Sequence, residues 1–392
     1  MRLNNWRKLL KRYTVFLLRY NKSMKYYIIA GEASGDLHGS NLMKALKIKD
    51  PEAEFRYFGG DLMMAVSPGL AMHYSEMAFM GFVEVVANLN SIFKNIKTAK
   101  QDILSFQPDV VILIDFPGFN MKIANFAKHK GFKVFYYISP KVWAWNQKRV
   151  LKIKKFVDRM FCILPFEVAF YKSWGMDVNY VGNPILDAIA SNPRDDLFKI
   201  KHNLDVRPIV ALLPGSRKQE LERVLPEMVR TADRFPEFQF IIAGAPSFSE
   251  EDYLAYLEGR KIAVIFNATY NLLLNSKAAI VTSGTATLET ALLKIPQVVV
   301  YKGNPLSIAI ARMLVKIKYI SLVNLVMDQI IVKELIQEQC TSIIIGDELD
   351  LILNDSNYRT EMLINYEELA IIMGEPGASD KAAKLMFNYL NT

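Results

Sequence analysis

Short runs of apolar residues recur along the chain, and each is followed by a turn and a helix-like segment. Continuous runs predict strands buried on both faces, because a half-exposed strand would alternate polar and apolar residues. The predicted strands are 26–30, 55–58, 110–114, 134–138, 160–164 and 178–181 in the first half, and 209–213, 238–243, 262–266, 278–282 and 297–301 in the second. Strands that alternate with helices at this spacing predict an α/β fold with parallel sheets covered on both faces.

This pattern divides the chain into two predicted domains, residues 24–190 and 205–365, joined through a polar stretch that begins at Ser191. Residues 366–392 are predicted to form a C-terminal helical segment that packs back on the first domain. Residues 1–23 form a basic and apolar extension, whose longest apolar run is too short to span a bilayer and precedes no cleavage site. Two interpretations of the extension stay open: a helix lying on lipid headgroups, or sequence upstream of a natural start at Met24.

Two turns in the second half combine small residues, hydroxyls and a helix start. Backbone N–H groups at such a turn, together with the helix dipole and an arginine, stabilise a bound phosphate. A carboxylate inside the second helix is placed to accept hydrogen bonds from a ribose. Either turn alone is more often a plain strand-to-helix connection, but the pair indicates a nucleotide diphosphate site. The candidates are Gly215, Ser216 and Arg217 in the first turn, and Ser283, Gly284, Thr285 and Glu289 in or after the second.

Three acids in the first half follow predicted strands. Glu32 and Asp36 lie in the loop after the first strand, and Asp115 directly follows five apolar residues. Ligands of open α/β sheets bind beyond the carboxyl ends of strands, and partial burial there raises the pKa of a carboxyl group toward that of a general base. Asp36 and Asp115 also fit a second interpretation, as helix-capping or turn residues.

The formal charge of +8 indicates an anionic partner. No nucleic-acid-binding motif is present, and basic residues interleaved with aliphatic and aromatic ones favour an anionic membrane surface over nucleic acid. The segment 77–96 is apolar with few charges, so it fits either a core helix or a lipid-contacting one. Its candidate contact residues are Phe79, Met80, Phe82, Val83, Val86 and Leu89.

The cysteines and histidines predict no metal centre and no cofactor. Cys162 and Cys340 are far apart and flanked by apolar residues, which predicts buried free thiols in a reducing compartment. The four histidines lack metal-ligand spacing, and no Asp-x-Asp pair is available to hold a metal-bound diphosphate. Helix ends and cations are therefore expected to hold any diphosphate.

From about Met24 to its end, the sequence resembles the lipid-A-disaccharide synthase family, inverting glycosyltransferases of lipopolysaccharide biosynthesis. Several strings in the same order carry the resemblance. They are Ala-Gly-Glu-Ala-Ser-Gly-Asp at 30–36, Met-Gly-Phe-Val-Glu-Val at 80–85, Ser139-Pro140 with Trp143-Ala144-Trp145, Val-Gly-Asn-Pro at 181–184, Leu-Pro-Gly-Ser-Arg at 213–217 and Ser-Gly-Thr-Ala-Thr-Leu-Glu at 283–289.

The resemblance implies two Rossmann-like domains facing a central cleft, the GT-B architecture. The implied reaction joins UDP-2,3-diacylglucosamine to 2,3-diacylglucosamine 1-phosphate, giving a β-1,6-linked disaccharide phosphate and UDP. By position, Gly215, Ser216 and Arg217 would hold the diphosphate and Glu289 the ribose. Asp115 is the expected base, with Glu32 and Asp36 lining the same cleft.

The same resemblance implies a cytoplasmic enzyme that associates peripherally with the inner membrane. It also implies that residues 77–96 contact acyl chains or the membrane. A homodimer is compatible with it. Asn324 matches a family asparagine, but residues 322–329 lack the proline, glycine and arginine usual there. The missing cation would shift diphosphate contacts to Arg217 or Lys302. Competing interpretations are a UDP-sugar 2-epimerase, a peptidoglycan glycosyltransferase, and an inactive lipid-binding protein of the same fold.

Overall fold

The computed structural model describes residues 23–77, 89–304 and 318–392, with the side chains of residues 89 and 90 left out. The chain divides into two compact units. One comprises the residues up to Pro184 together with Gly377–Thr392, and the other comprises Ile185–Pro376. Each unit is built on one sheet in which every strand pair is parallel.

The sheet of the first unit has seven strands in the order β3-β2-β1-β4-β5-β6-β7. Its strands are β1 Lys25–Ala30, β2 Glu54–Gly59, β3 Leu70–His73, β4 Val110–Ile114, β5 Lys133–Tyr137, β6 Arg159–Cys162 and β7 Asn179–Tyr180. The helices between them are α1 Ala33–Lys49, α2 Asp61–Met64, α3 Leu89–Phe106, α4 Pro117–His129, α5 Val142–Trp145, α6 Val150–Phe156 and α7 Phe166–Ser173. Both faces of the sheet carry an apolar core, as the continuous apolar strands predict.

The sheet of the second unit has six strands in the order β10-β9-β8-β11-β12-β13. They are β8 Ile209–Leu213, β9 Gln239–Gly244, β10 Ala263–Phe266, β11 Ser276–Thr282, β12 Gln297–Tyr301 and β13 Glu334–Ile336. Its helices are α8 Pro184–Ala190, α9 Phe198–Lys201, α10 Lys218–Thr231, α11 Glu250–Leu254, α12 Thr269–Leu274, α13 Thr285–Leu292, α14 Leu322–Met327, α15 Ser342–Asn354 and α16 Ser356–Met373.

The last helix, α17 Ala378–Asn391, belongs to the first unit. It packs along α1 and buries Ala382, Ala383 and Met386 in the core on that face of the sheet. The Tyr389 hydroxyl donates to Asn179 Oδ1 at 3.1 Å. The last helix of the chain therefore completes the apolar core that β1 and α1 begin.

The predicted α/β fold with two parallel-sheet domains is confirmed. Strands β3 and β13 were not predicted, because they are only four and three residues long and their apolar runs, Leu70–Met72 and Leu335–Ile336, are too short to indicate a buried strand. Within the described ranges, no helix combines the length and apolar character needed to cross a bilayer. The segment 1–22 and the predicted acyl or membrane contacts at residues 79–86 lie outside the described residues, as does the side chain of Leu89.

Candidate functional site

In each sheet, the strand order reverses direction between two neighbouring central strands. The reversal lies between β1 and β4 in the first unit and between β8 and β11 in the second. Ligands of open α/β sheets bind at this switch point, beyond the carboxyl ends of the strands. The loops there contain Glu32 and Asp115 in the first unit, and the Gly215 and Gly284 turns in the second.

The turn between β8 and α10 gathers several hydrogen-bond donors around one point. The backbone N–H groups of Ser216 and Arg217 both donate to Glu220 Oε2, at 3.1 and 3.2 Å. The Arg217 guanidinium lies 3.3 Å from Glu220 Oε1. Gly215 is required because its φ is +104° and a Cβ there would lie 2.2 Å from Glu220 Oε2. A carboxylate of the same chain thus occupies the donors of this turn.

The second turn, between β11 and α13, is held in place by two side-chain hydrogen bonds. The Ser283 hydroxyl donates to the Ile320 carbonyl at 2.9 Å, and the Thr287 hydroxyl donates to the Gly284 carbonyl at 2.8 Å. Gly284 and Thr285 are exposed at the start of α13. Their backbone is therefore presented to solvent at the helix N-terminus, where the dipole favours an anion.

Glu289 is largely buried and has one partner among the described side chains. The Tyr270 hydroxyl donates to its Oε1 at 2.8 Å. Burial raises the pKa of Glu289, and the hydrogen bond from Tyr270 opposes that rise. No other described residue donates to this carboxylate, so Oε2 is left as an acceptor for a ligand hydroxyl. No sequence pattern indicated a role for Tyr270, because an aromatic residue at a helix start usually indicates core packing.

Asn324 is fully buried and its side-chain amide is fully engaged. Its Oδ1 accepts from the N–H groups of Ile331 and Val332, at 2.8 and 3.0 Å. Its Nδ2 donates to the Val332 carbonyl and to Glu334 Oε1, both at 2.9 Å. Asn324 was predicted to contact the substrate, but every polar atom of its side chain already has partners within the chain. This residue instead fixes the chain before β13.

Lys302, the alternative cation, is also engaged inside the second unit. Its Nζ lies 2.9 Å from Glu227 Oε1 and 3.4 Å from the Cys340 carbonyl oxygen. Cys340 and Cys162 are buried and free, as predicted. Within the described ranges, no cluster of three His, Cys, Asp or Glu side chains is arranged to hold a metal ion.

Asp36 caps a neighbouring helix rather than facing a ligand. Its buried carboxylate accepts three backbone N–H groups at the start of α2, from Gly60 at 2.7 Å, Leu62 at 3.0 Å and Met63 at 3.1 Å. These are three of the four backbone N–H groups that a helix start leaves without an intrahelical partner. Of the two interpretations of Asp36, the structure supports capping, and the helix it caps is not the one it belongs to.

Asp115 lies at the end of β4 in an unusual backbone conformation. Asp115 and Phe116 have φ values of 41° and 47°, a left-handed region that costs energy for residues with side chains. The Asp115 carbonyl accepts hydrogen bonds from Asn120 Nδ2 at 2.8 Å and from the Tyr136 hydroxyl at 2.5 Å. Tertiary hydrogen bonds therefore hold the strained turn that presents the carboxylate.

The surroundings of Asp115 suit a general base. Burial, together with the negative charge of Glu32, raises the pKa of Asp115 to about 6, against opposing effects of Lys141 and the Phe116 N–H. Glu32 is half-buried and accepts a hydrogen bond from the Ser34 hydroxyl at 2.7 Å. The two loops approach closely, because a Cβ on Gly31 would lie 2.3 Å from the Phe116 ring. Among the predicted acids, the structure thus groups Glu32 with Asp115.

A buried carboxyl group that the sequence did not reveal supports the next loop. Glu167 Oε1 accepts from Trp143 Nε1 at 3.3 Å, and Oε2 accepts from the Leu164 N–H at 3.0 Å. Burial raises the pKa of Glu167 to about 7. Beside it, the Ser139 and Tyr171 hydroxyls are 2.7 Å apart. This network anchors the loop that carries Lys141.

A family model described as "Lipid-A-disaccharide synthetase" matches residues 26–384. The chain belongs to the lipid-A-disaccharide synthase family. The resemblance stated from the sequence is thereby confirmed. The lipid-A-disaccharide synthase of Geobacter metallireducens is 38% identical over 370 residues, which are 93% of this chain and 96% of that relative. That of Syntrophus aciditrophicus is 40% identical over 364 residues, covering 91% and 95%.

Solved structures show how this lipid-A-disaccharide synthase family member is folded. The UDP-GlcNAc 2-epimerase of Methanocaldococcus jannaschii, in complex with UDP-GlcNAc and UDP, matches with a TM-score of 0.64 over 93% of this chain and 100% of that one. The Neisseria meningitidis UDP-GlcNAc 2-epimerase bound to UDP-GlcNAc matches with a TM-score of 0.62, over 94% and 99%. Both are 13% identical in sequence, so they establish the fold and not the activity.

Proposed function

We propose that the chain transfers a diacylglucosamine unit from UDP-2,3-diacylglucosamine to the 6-hydroxyl of 2,3-diacylglucosamine 1-phosphate. The products are the β-1,6-linked disaccharide phosphate and UDP. The observation that carries the proposal is membership of the lipid-A-disaccharide synthase family across residues 26–384. The relatives match over more than nine tenths of their own length, so no catalytic domain of theirs lacks a counterpart here.

The second unit is proposed to hold the UDP group. Support comes from the two turns on the neighbouring strands β8 and β11, whose donors suit two phosphates. Arg217 adds a side chain that is 73% exposed and thus accessible to a ligand. Glu289 would accept a ribose hydroxyl on the oxygen that Tyr270 leaves available. These donors would stabilise the charge that develops on departing UDP.

Asp115 in the first unit is proposed as the base that takes the proton from the acceptor hydroxyl. A carboxyl group whose pKa is about 6 is ionised near neutral pH, yet is a stronger base than an exposed aspartate. Attack from the side opposite the departing UDP inverts the anomeric carbon. Glu32 is proposed to act on this base through its negative charge.

An anionic membrane surface, on the cytoplasmic side of the inner membrane, is proposed as a further partner. Residues 89–156 contain thirteen Lys or Arg and three Asp, a net +10 that leaves −2 for the rest of this +8 chain. Helices α3, α4 and α6 pack side by side on one face of the first sheet. We call their solvent-facing side chains, together with those of residues 145–149 just before α6, the basic face.

The basic face also exposes large apolar side chains. Phe93, Trp145 and Leu151 are 57%, 51% and 58% exposed. Lys122 lies over the Phe93 ring at 5.0 Å, and Arg149 over the Trp145 ring at 4.2 Å. Aromatic and basic side chains together are typical of surfaces that lie on anionic headgroups. A face of this kind would keep the enzyme near acylated substrates.

The decisive experiment is mass analysis of the product formed from the two diacylglucosamine substrates. We expect a disaccharide phosphate and one UDP for each bond made. Asp115→Asn should reduce turnover by about a hundredfold or more while UDP affinity stays nearly unchanged. Turnover that persists in this variant would exclude Asp115 as the base. Epimerised UDP-sugar without disaccharide, or no product at all, would contradict the proposed reaction.

A further inference from the structure

The first turn of the second unit binds an anion that belongs to the chain itself. Glu220 is the third residue of α10, and its carboxylate reaches back over the turn to the N–H groups of Ser216 and Arg217. Its second oxygen faces the Arg217 guanidinium at 3.3 Å. Only 15% of the Glu220 side chain is exposed, although Arg217 beside it is 73% exposed.

The donors that Glu220 uses are the ones a phosphate would need. A phosphate at this turn would accept from the same two N–H groups and from the same guanidinium. Each N–H group carries one hydrogen and cannot serve both acceptors well. Two negative groups at this spacing would also repel each other strongly. The carboxylate must therefore leave when a phosphate binds here.

We propose that Glu220 competes with the phosphate groups of the nucleotide for the donors of this turn, and so sets the affinity of the site for diphosphates. The inference rests on the proposed function, because it takes UDP as the ligand. A ligand pays the cost of displacing Glu220 only if it carries phosphate. Glu220 thus lowers the affinity for ligands that carry phosphate without touching the nucleoside.

The other role open to Glu220 is purely structural. A glutamate at this position that reaches back to the N-cap N–H is a capping box, which stabilises the helix start. The two roles predict opposite signs. Removing a competitor strengthens phosphate binding, whereas removing a cap that builds the turn weakens it.

The test is calorimetric titration of UDP and of uridine into the full chain and into Glu220→Gln. Glutamine keeps the length and one acceptor oxygen but removes the charge. We expect Glu220→Gln to bind UDP about threefold to tenfold more tightly, with uridine affinity unchanged. Glu222→Gln, an exposed position two residues further along α10, removes the same charge without contacting the turn. It should change neither affinity, which controls for long-range charge.

The possible results separate the two roles. Unchanged or weaker UDP binding by Glu220→Gln would overturn the inference. So would a parallel loss of UDP and uridine binding, since Glu220 would then build the turn rather than compete in it. Equal strengthening in Glu222→Gln would also overturn it, because the effect would be general electrostatics. If the unaltered chain binds neither UDP nor uridine, the proposed function itself fails.

Discussion

Tyr270 and Glu289 are joined by a 2.8 Å hydrogen bond although they belong to helices that follow different strands, β10 and β11. The hydroxyl fixes one carboxylate oxygen and leaves the other available as an acceptor. A buried carboxylate without this donor would rotate and would hold its proton more tightly, because burial already raises its pKa.

We therefore expect Tyr270→Phe to weaken UDP binding by about threefold to tenfold, the cost of a lost hydrogen bond to a charged group. Uridine binding should weaken equally, since the effect concerns the ribose. Tyr256→Phe removes a hydroxyl from the same unit away from Glu289 and serves as the control. Weaker binding of UDP with unchanged binding of uridine would place Glu289 away from the ribose.

The pKa of Asp115 predicts the acid side of the activity profile. Because the base must be ionised, kcat/KM should fall about tenfold per pH unit below pH 6. Lys141 holds this pKa down, so Lys141→Met should move the acid limb to higher pH. Lys130→Met, at the far end of α4, removes the same charge and should leave the limb in place. An unmoved limb in Lys141→Met would mean that another group is the titrating base.

Glu167 gives the stability of the first unit a pH dependence of a particular sign. Its pKa is raised from 4.5 to about 7 on folding, so the folded protein holds the proton more tightly than the unfolded one. Its contribution is complete below pH 4.5 and is lost as the pH rises through 7. The change is on the order of 3 kcal/mol.

Glu167→Gln should remove that component, which urea unfolding at pH 5 and pH 8 would measure. The difference between the two unfolding free energies should become smaller than in the unaltered chain. Glu52→Gln, at an exposed position of the same unit, is the matched control. An unchanged difference in Glu167→Gln would show that Glu167 does not titrate in this range.

The basic face predicts salt-sensitive binding to anionic vesicles. Replacing the exposed Lys148 and Lys152 with glutamate should weaken that binding by more than tenfold, because each lysine near such a surface contributes about 1 kcal/mol. The same charge change at the exposed Lys261 and Lys333 of the second unit should have a smaller effect. Sedimentation with vesicles of phosphatidylglycerol and of neutral lipid measures both. Equal losses in the two variants would show that net charge alone governs binding.

The hydrophobic pattern predicted the central strands well, because a strand that is buried on both faces is apolar along its whole length. It also predicted which loops follow β1, β4, β8 and β11, and hence where Asp115 and the Gly215 turn lie. It did not predict what each polar side chain touches. Asp36 reaches residues 24 to 27 positions away, and Glu167 reaches Trp143 24 positions away.

Tertiary packing determines such long-range hydrogen-bond partners, and a local sequence pattern carries no information about them. Asn324 shows the same limit in reverse. Its place in a family string suggested substrate contact, whereas its amide is consumed by backbone groups seven and eight residues further on. Composition and spacing identify a polar residue, but only the fold shows whether its donors and acceptors already have hydrogen-bond partners within the protein.

The position of α17 has a consequence for synthesis on the ribosome. The second unit is contiguous in sequence and has all its strands once Pro376 has emerged, but the first unit still lacks the helix that covers α1. Until residues 377–392 leave the exit tunnel, the apolar surface around Leu42 and Leu46 has no permanent cover. The half of the protein that is translated first is therefore the half that finishes folding last, and a nascent chain stopped a few codons early would be a natural client for chaperones.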